Sequence, residues 1–199
     1  MTDELKRCLS LTGFFIITFF FASTSFAVAE VVVKEETQYY DVTGQSLRDV
    51  RGQTFVVTPV LVNGRPYAAQ CRHDIRWHYK YDSDADWCSI KSVTVTVNIK
   101  HTMPRWADYS SSSPDMQEKW NTYYARLSEH EEGHAKLAKE AANDIEQEIG
   151  TARRRSCQDL RQAVNEIGIG ILKRLDEANK DFDASTKHGR LQDAILHEY

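Results

Sequence analysis

The sequence is short of the features that would assign it to several common classes. It has four cysteines, one of which, Cys8, precedes an apolar N-terminal run. The other three, Cys71, Cys88 and Cys157, form no close C-x-x-C pair, so thiolate ligation of zinc is the weaker reading of them. Positive charge is scarce as well: 25 Lys and Arg against 29 Asp and Glu leave a formal net charge of −4. That balance gives no electrostatic footprint for nucleic acid or for an anionic membrane surface. The run Arg153-Arg154-Arg155 is too short to change this and reads as a solvated helix start. Internal repeats and low-complexity tracts are missing. The one strongly apolar stretch, GFFIITFFFA, is shorter than the roughly 20 residues that a membrane span requires.

What is present at the N-terminus is an ordered set of export signals. Lys6 and Arg7 precede the apolar run, and Ala27-Val28-Ala29 follows it. Basic, apolar and A-x-A regions in that order predict a signal peptide over 1–29, cleaved after Ala29. Residues 30–199 then form a single domain, secreted or periplasmic, with no stable membrane insertion after cleavage. An oxidising compartment predicts one disulfide among the three remaining cysteines and one leftover thiol, with all three pairings open. Nothing in the sequence specifies an oligomeric state.

Along the chain, VVVKEETQYYDV (31–42) reads as a strand, 45–51 as a short helix, and 54–62 as an extended region ended by the turn signal Asn63-Gly64. In HDIRWHYKY, Ile75, Trp77, Tyr79 and Tyr81 share one face, and in SVTVTVNI, Val93, Val95, Val97 and Ile99 do the same. Two such period-2 runs joined by DSDAD predict a half-buried hairpin. A long helix starts at Asp115, just after Pro114, and stops at Gly150. A second helix over 156–181 carries the stripe Leu160, Val164, Ile167, Ile171, Leu175 and Ala178, with Gly168 and Gly170 weakening its middle. The predicted class is α+β: a small antiparallel or mixed sheet followed by two long helices.

Within the first long helix lies LSEHEEGHAKL, an H-E-x-x-H pattern. At 100° per residue His130 and His134 fall 40° apart and one turn apart along the axis, so both imidazoles can reach one metal. Leu127, His130, His134, Ala138, Ala141 and Ile145 follow at three- and four-residue steps, which puts the histidines on the buried stripe. An imidazole pair there is costly unless something binds it. Glu131 flanks the pair, placed to accept a proton from a zinc-bound water rather than to ligate. A catalytic zinc takes three protein ligands, and the continuation of the motif offers none: Leu137 and Glu140 stand where a glycine and a histidine would be needed. Asp144 and Glu148 lie too far along the axis. The third ligand therefore comes from another segment. His78 and His101 read as solvated, His197 as frayed, and His188, followed by Gly189, as the histidine that an antiparallel second helix would return to the metal.

Several motifs together resemble a bacterial family of predicted secreted zinc-dependent proteases, catalogued as a domain of unknown function. They are YYDVTGQS, RWHYKY, MPRW, W-x-x-Y-x-x-x-L-x-x-HEEGH, the later Cys157, and FDASTKHG with its T-x-H-G. The resemblance covers nearly the whole mature chain. It implies a zincin-like metallopeptidase with one Zn2+ per chain, His130 and His134 as ligands and Glu131 as general base. It raises His188 as third ligand, with Asp183 as the fallback, and it pairs Cys88 with Cys157. One departure is Gln192-Asp193, where the family pattern has a small residue after the glutamine. The expected partner is a peptide or protein substrate, to which the strand over 92–100 could offer its edge. The rival readings are a non-catalytic metal-binding envelope protein and a zinc amidase acting on cell-wall material.

Overall fold

The computed structural model describes residues 28–197. The predicted signal segment lies outside the described residues apart from its last two positions, Val28 and Ala29, which open the first strand. No helix among the described residues is long and apolar enough to cross a membrane.

The chain is α+β, as its periodicities predict. Strand β1 (Val28–Val42) leads to helix α1 (Leu47–Val57), a small hairpin of β2 (Leu61–Val62) and β3 (Arg65–Pro66), and the long strands β4 (Gln70–Ser83) and β5 (Cys88–Trp106). Helix α2 (Pro114–Gly150), a two-residue strand β6 (Arg153–Arg154) and helix α3 (Cys157–Thr186) complete it. Each helix begins on a serine whose side chain accepts a backbone N–H: Ser46 from Asp49, Ser113 from Met116 and Ser156 from Asp159. These bonds satisfy donors left without an intrahelical partner.

The main sheet runs β1-β5-β4, with β1 parallel and β4 antiparallel to β5, and with β6 pairing the start of β5. Alternation sets which face is buried. Val93, Val95, Val97 and Ile99 are at most 1% exposed, and they meet Ala135, Ala138, Ala142, Ile145 and Ile149 of α2 and Leu160, Val164 and Ile171 of α3. Each fully buried Val or Ile contributes roughly 1.5–3 kcal/mol of transfer free energy. The alanines of α2 leave room for the helix to lie close to the sheet. A second core gathers Val42, Val50, Met103, Trp106, Trp120 and Leu127 at the other end of α2.

Several expectations are corrected by packing. Strand β5 is central and not an edge, because β1 pairs along its far side, so its 92–100 segment has no free edge to offer a ligand. The edges of the sheet belong to β1 and β4. Helix α1 runs on to Val57 through residues that read as extended, since Val50 and Thr54 bury one of its faces and Thr54 Oγ1 bonds the Val50 carbonyl at 2.8 Å. His101 is buried and bonded to Glu35 at 2.7 Å, not solvated. A bulge between Lys80 and Tyr81 takes Tyr81 out of the packed face, and it is 39% exposed. Gly168 is a point of contact: a Cβ there would lie 2.3 Å from Trp77 Cζ2. The arginine run caps an aromatic instead of standing free, with Arg153 and Arg155 4.2 and 4.1 Å from the Trp87 ring centre. Cys88 and Cys157 form a disulfide that ties the start of β5 to the start of α3, and Cys71 is free.

Candidate metal centre

His130 and His134 project from α2 one turn apart, with ring centres 5.0 Å from each other and planes at 86°. Phe182 of α3 packs against both, stacked on His130 at 5.1 Å and edge-on to His134 at 5.0 Å. Gly133 makes this wedge possible, because a Cβ at that position would stand 2.4 Å from Phe182 Cζ. The fourth letter of HEEGH is therefore a steric requirement of the fold.

Asp183 lies one turn beyond Asn179 on α3 and completes the group. Its Oδ1 is 3.3 Å from His130 Nε2 and 3.2 Å from His134 Nε2. The three donor atoms all lie within 4.8 Å of one another. Ligands roughly 2.0–2.1 Å from a tetrahedral zinc stand about 3.3–3.4 Å apart, so the two measured spacings suit a zinc ion.

The far side of each imidazole is also held. His134 Nδ1 meets Asn179 Oδ1 at 2.6 Å, and His130 Nδ1 meets Gln192 Oε1 at 2.8 Å. Asn179 donates its Nδ2 to the Leu175 carbonyl at 2.9 Å, which fixes its oxygen toward the histidine. An amide oxygen only accepts, so each Nδ1 carries a proton, and each ring turns its Nε2 to the centre, where it donates to Asp183 in the metal-free protein and would ligate a metal once deprotonated. This is the outer support that metal-ligating histidines use, and the residues fit a metal.

Charge points the same way. Burial would push the Asp183 carboxyl up, but hydrogen bonds from His130 and His134 outweigh it and hold it well below the usual carboxylate range. Burial would lower the His134 pKa, yet Asp183 and Asn179 raise it above the ordinary imidazole value. Glu131 is 5% exposed, and burial raises its pKa against the pull of His130 and His134. The backbone N–H of Cys71 on β4 faces this carboxylate and pulls against burial too. Burial, with Glu131 adding to it, pushes the Cys71 thiol up to about 12, so this cysteine is neutral and inert.

The end of α3 shapes the rest. Lys187, His188 and Gly189 adopt φ of 51°, 53° and 78°, which reverses the chain and carries Gln192 to His130. Gly189 N–H bonds Thr186 Oγ1 at 3.3 Å, and a Cβ on Gly189 would lie 3.2 Å from His130 Cγ. Asp193 has φ 64°, in the left-handed region that favours glycine. His188 is not in the three-residue donor group. Its exposed ring lies against Tyr67 at 5.5 Å, and its Nδ1 is 3.4 Å from Asp183 Oδ1. Sequence reasoning gave no role to Gly133, Asn179, Phe182 or Gln192. The i, i+4 spacing of Asn179 and Asp183, facing that of the histidines, is the signal that was there to use.

Over the group opens a cleft of about 830 Å³. One wall is the free edge of β4 from Gln70 to Ile75, and Phe55, Val62 and Leu175 add apolar surface. A second donor group joins Glu132 of α2 to Glu35 of β1 and His101 of β5. There the Lys139 ammonium already sits 2.9 Å from Glu35 and 3.0 Å from Glu132.

No curated protein and no solved structure matches the chain significantly. Residues 37–189, which span the sheet, both long helices and the donor group, match the family model described as "Bacterial protein of unknown function (DUF922)", and the chain belongs to that family.

Proposed function

We propose that this chain is an exported zinc-dependent hydrolase of peptide bonds. The observation that carries the reading is the convergence of His130 Nε2, His134 Nε2 and Asp183 Oδ1, with both imidazoles held from behind by amide oxygens. His130, His134 and Asp183 would hold one zinc, and His188, in contact with Asp183, would orient that carboxylate. Three protein ligands beneath a solvent-filled cleft leave a coordination position open, which suits a catalytic site better than a structural one. A zinc ion there supplies Lewis acidity, polarising a carbonyl and acidifying a water.

Glu131 is the proton acceptor of this reading. Its carboxylate is buried beside the two histidines and faces the Cys71 N–H. Burial raises its pKa toward the range where a carboxylate can take a proton and return it. The polypeptide substrate is suggested by β4. Cys71 directs its N–H away from β5 to Glu131, and the two-residue repeat of an antiparallel pair turns the backbone groups of His73 and Ile75 the same way. These groups line the cleft and suit an extended chain added as a further strand. The Cys88–Cys157 disulfide and the signal-like N-terminus support an exported location.

Metal analysis with a hydrolysis assay on fluorescein-labelled casein tests the reading. One zinc per chain is expected in the wild type, retained in Glu131→Gln with a fall of about 100-fold or more in cleavage. Wild-type protein without stoichiometric zinc would falsify the whole assignment. Cleavage that survives Glu131→Gln unchanged would remove Glu131 and leave the metal site standing.

A further inference from the structure

Among the described residues one buried side-chain nitrogen or oxygen has no hydrogen-bond partner, and it is Nδ1 of His73. Buried polar atoms are paired as a rule, so an orphan at the wall of a cleft calls for a cause. His73 is on β4, two residues after Cys71 and on the same side of the strand, facing the helices. The strand rise places it about 7 Å along the edge from the Cys71 N–H that faces Glu131. Its ring lines the same cleft as His130, Glu131 and His134.

With Nδ1 enclosed, the open edge of the ring is the Nε2 side. Burial and the neighbouring His134 hold its pKa below the ordinary imidazole value, against the weaker pull of Asp176 and Asp74, and this favours the neutral ring. A neutral imidazole carries one N–H. Placed on Nδ1, that proton would be a buried donor with no acceptor, whereas on Nε2 it faces the cleft where an acceptor can reach it.

We infer that His73 is a substrate-binding residue whose Nε2–H donates to the carbonyl oxygen of a polypeptide lying along β4, on the far side of that carbonyl from Glu131. The bond strengthens as negative charge gathers on the oxygen, so it favours the transition state over the bound substrate. This inference rests on the metal-hydrolase reading and adds to it the donor that neither the H-E-x-x-H motif nor the donor group supplies.

The test compares wild type, His73→Phe and His73→Gln, each with zinc content measured first. Acetohydroxamate, a small carbonyl-bearing metal chelator, is the binding probe, and labelled casein is the substrate. All three proteins are expected to hold zinc equally. His73→Phe should bind acetohydroxamate about 10-fold more weakly. It should also lose about 100-fold in kcat with KM within about threefold, the pattern of a lost transition-state donor. His73→Gln, which keeps an N–H donor, should recover most of both. A His73→Phe protein that holds zinc and matches wild type in both measurements overturns the role of His73 alone. A wild type that holds no zinc ends the metal-hydrolase reading itself.

Discussion

Helix α2 carries two polar clusters that are similar in composition and different in charge. At one, Glu132 and Lys139 of α2 meet Glu35 of β1 and His101 of β5. At the other, His130 and His134 meet Asp183 of α3, with Glu131 buried alongside. Both present three donor side chains within 4.8 Å. In the first, a cation is built in. Burial's upward push on Glu35 is outweighed by Lys139 and His101, and its pKa falls below the ordinary value. In the second, two carboxylates face two imidazoles, Asp183 also meets His188, and no Lys or Arg ion pair reaches Asp183 or Glu131 among the described residues. The first cluster has a lysine ammonium built in, while the second has no lysine or arginine, a place that a divalent metal would take in the proposed reading.

The comparison breaks most sharply at the α3 ligand. Asp183→Ala should abolish stoichiometric zinc after dialysis, and His188→Ala should retain it, both read by metal analysis. Loss of zinc in His188→Ala with retention in Asp183→Ala would move the third corner to His188. A smaller effect is expected behind the ligands. Gln192→Ala removes the acceptor from His130 Nδ1 and should weaken zinc binding by about 10–100-fold in a competition titration. The same titration run against pH has a definite sign. A metal takes the neutral imidazole, and His134 holds its proton above the ordinary value of 6.5 in the metal-free protein. Zinc affinity should therefore begin to fall above pH 6.5 as the solution is acidified. Metal-free stability from His134 runs the other way, present below its unfolded pKa and lost as pH rises through the folded one. The smallest effect belongs to the cluster with the lysine. Lys139→Met should lower unfolding free energy by roughly 1 kcal/mol, since both partners are about a third exposed and screened, and should leave zinc content unchanged.

The two clusters also differ in how far sequence could reach them. The histidine pair is legible because helical phase is local: the stripe from Leu127 to Ile145 places both rings inward without knowledge of any partner. The choice between Asp183 and His188 depended on where α3 stops. Reading its end at 181 leaves both residues in a loop, whereas the helix runs to Thr186 and sets Asp183 one turn past Asn179. The reversal that follows uses left-handed Lys187 and His188, and only Gly189 advertises such a turn in sequence. Sheet order was out of reach for a similar reason. A parallel partner for β5 comes from the opposite end of the sheet-forming sequence, and no local pattern reports that β1 takes one edge and leaves β4 exposed. His101 read as solvated because its partner, Glu35, is 66 residues away.

The disulfide takes on a second meaning beside the candidate metal centre. It closes a loop of 69 residues at the first turn of α3, while Asp183 meets His134 across 49 residues near the last turn. Those two points lie about 39 Å apart along the helix at 1.5 Å per residue. With zinc in place α3 would be buckled at both ends, covalently to the sheet and by coordination to α2, and a chelator would undo only the second buckle. Chelated protein should then keep its sheet and the start of α3 closed while the far end peels, a loss of local order that amide exchange at 175–186 would register before any global unfolding.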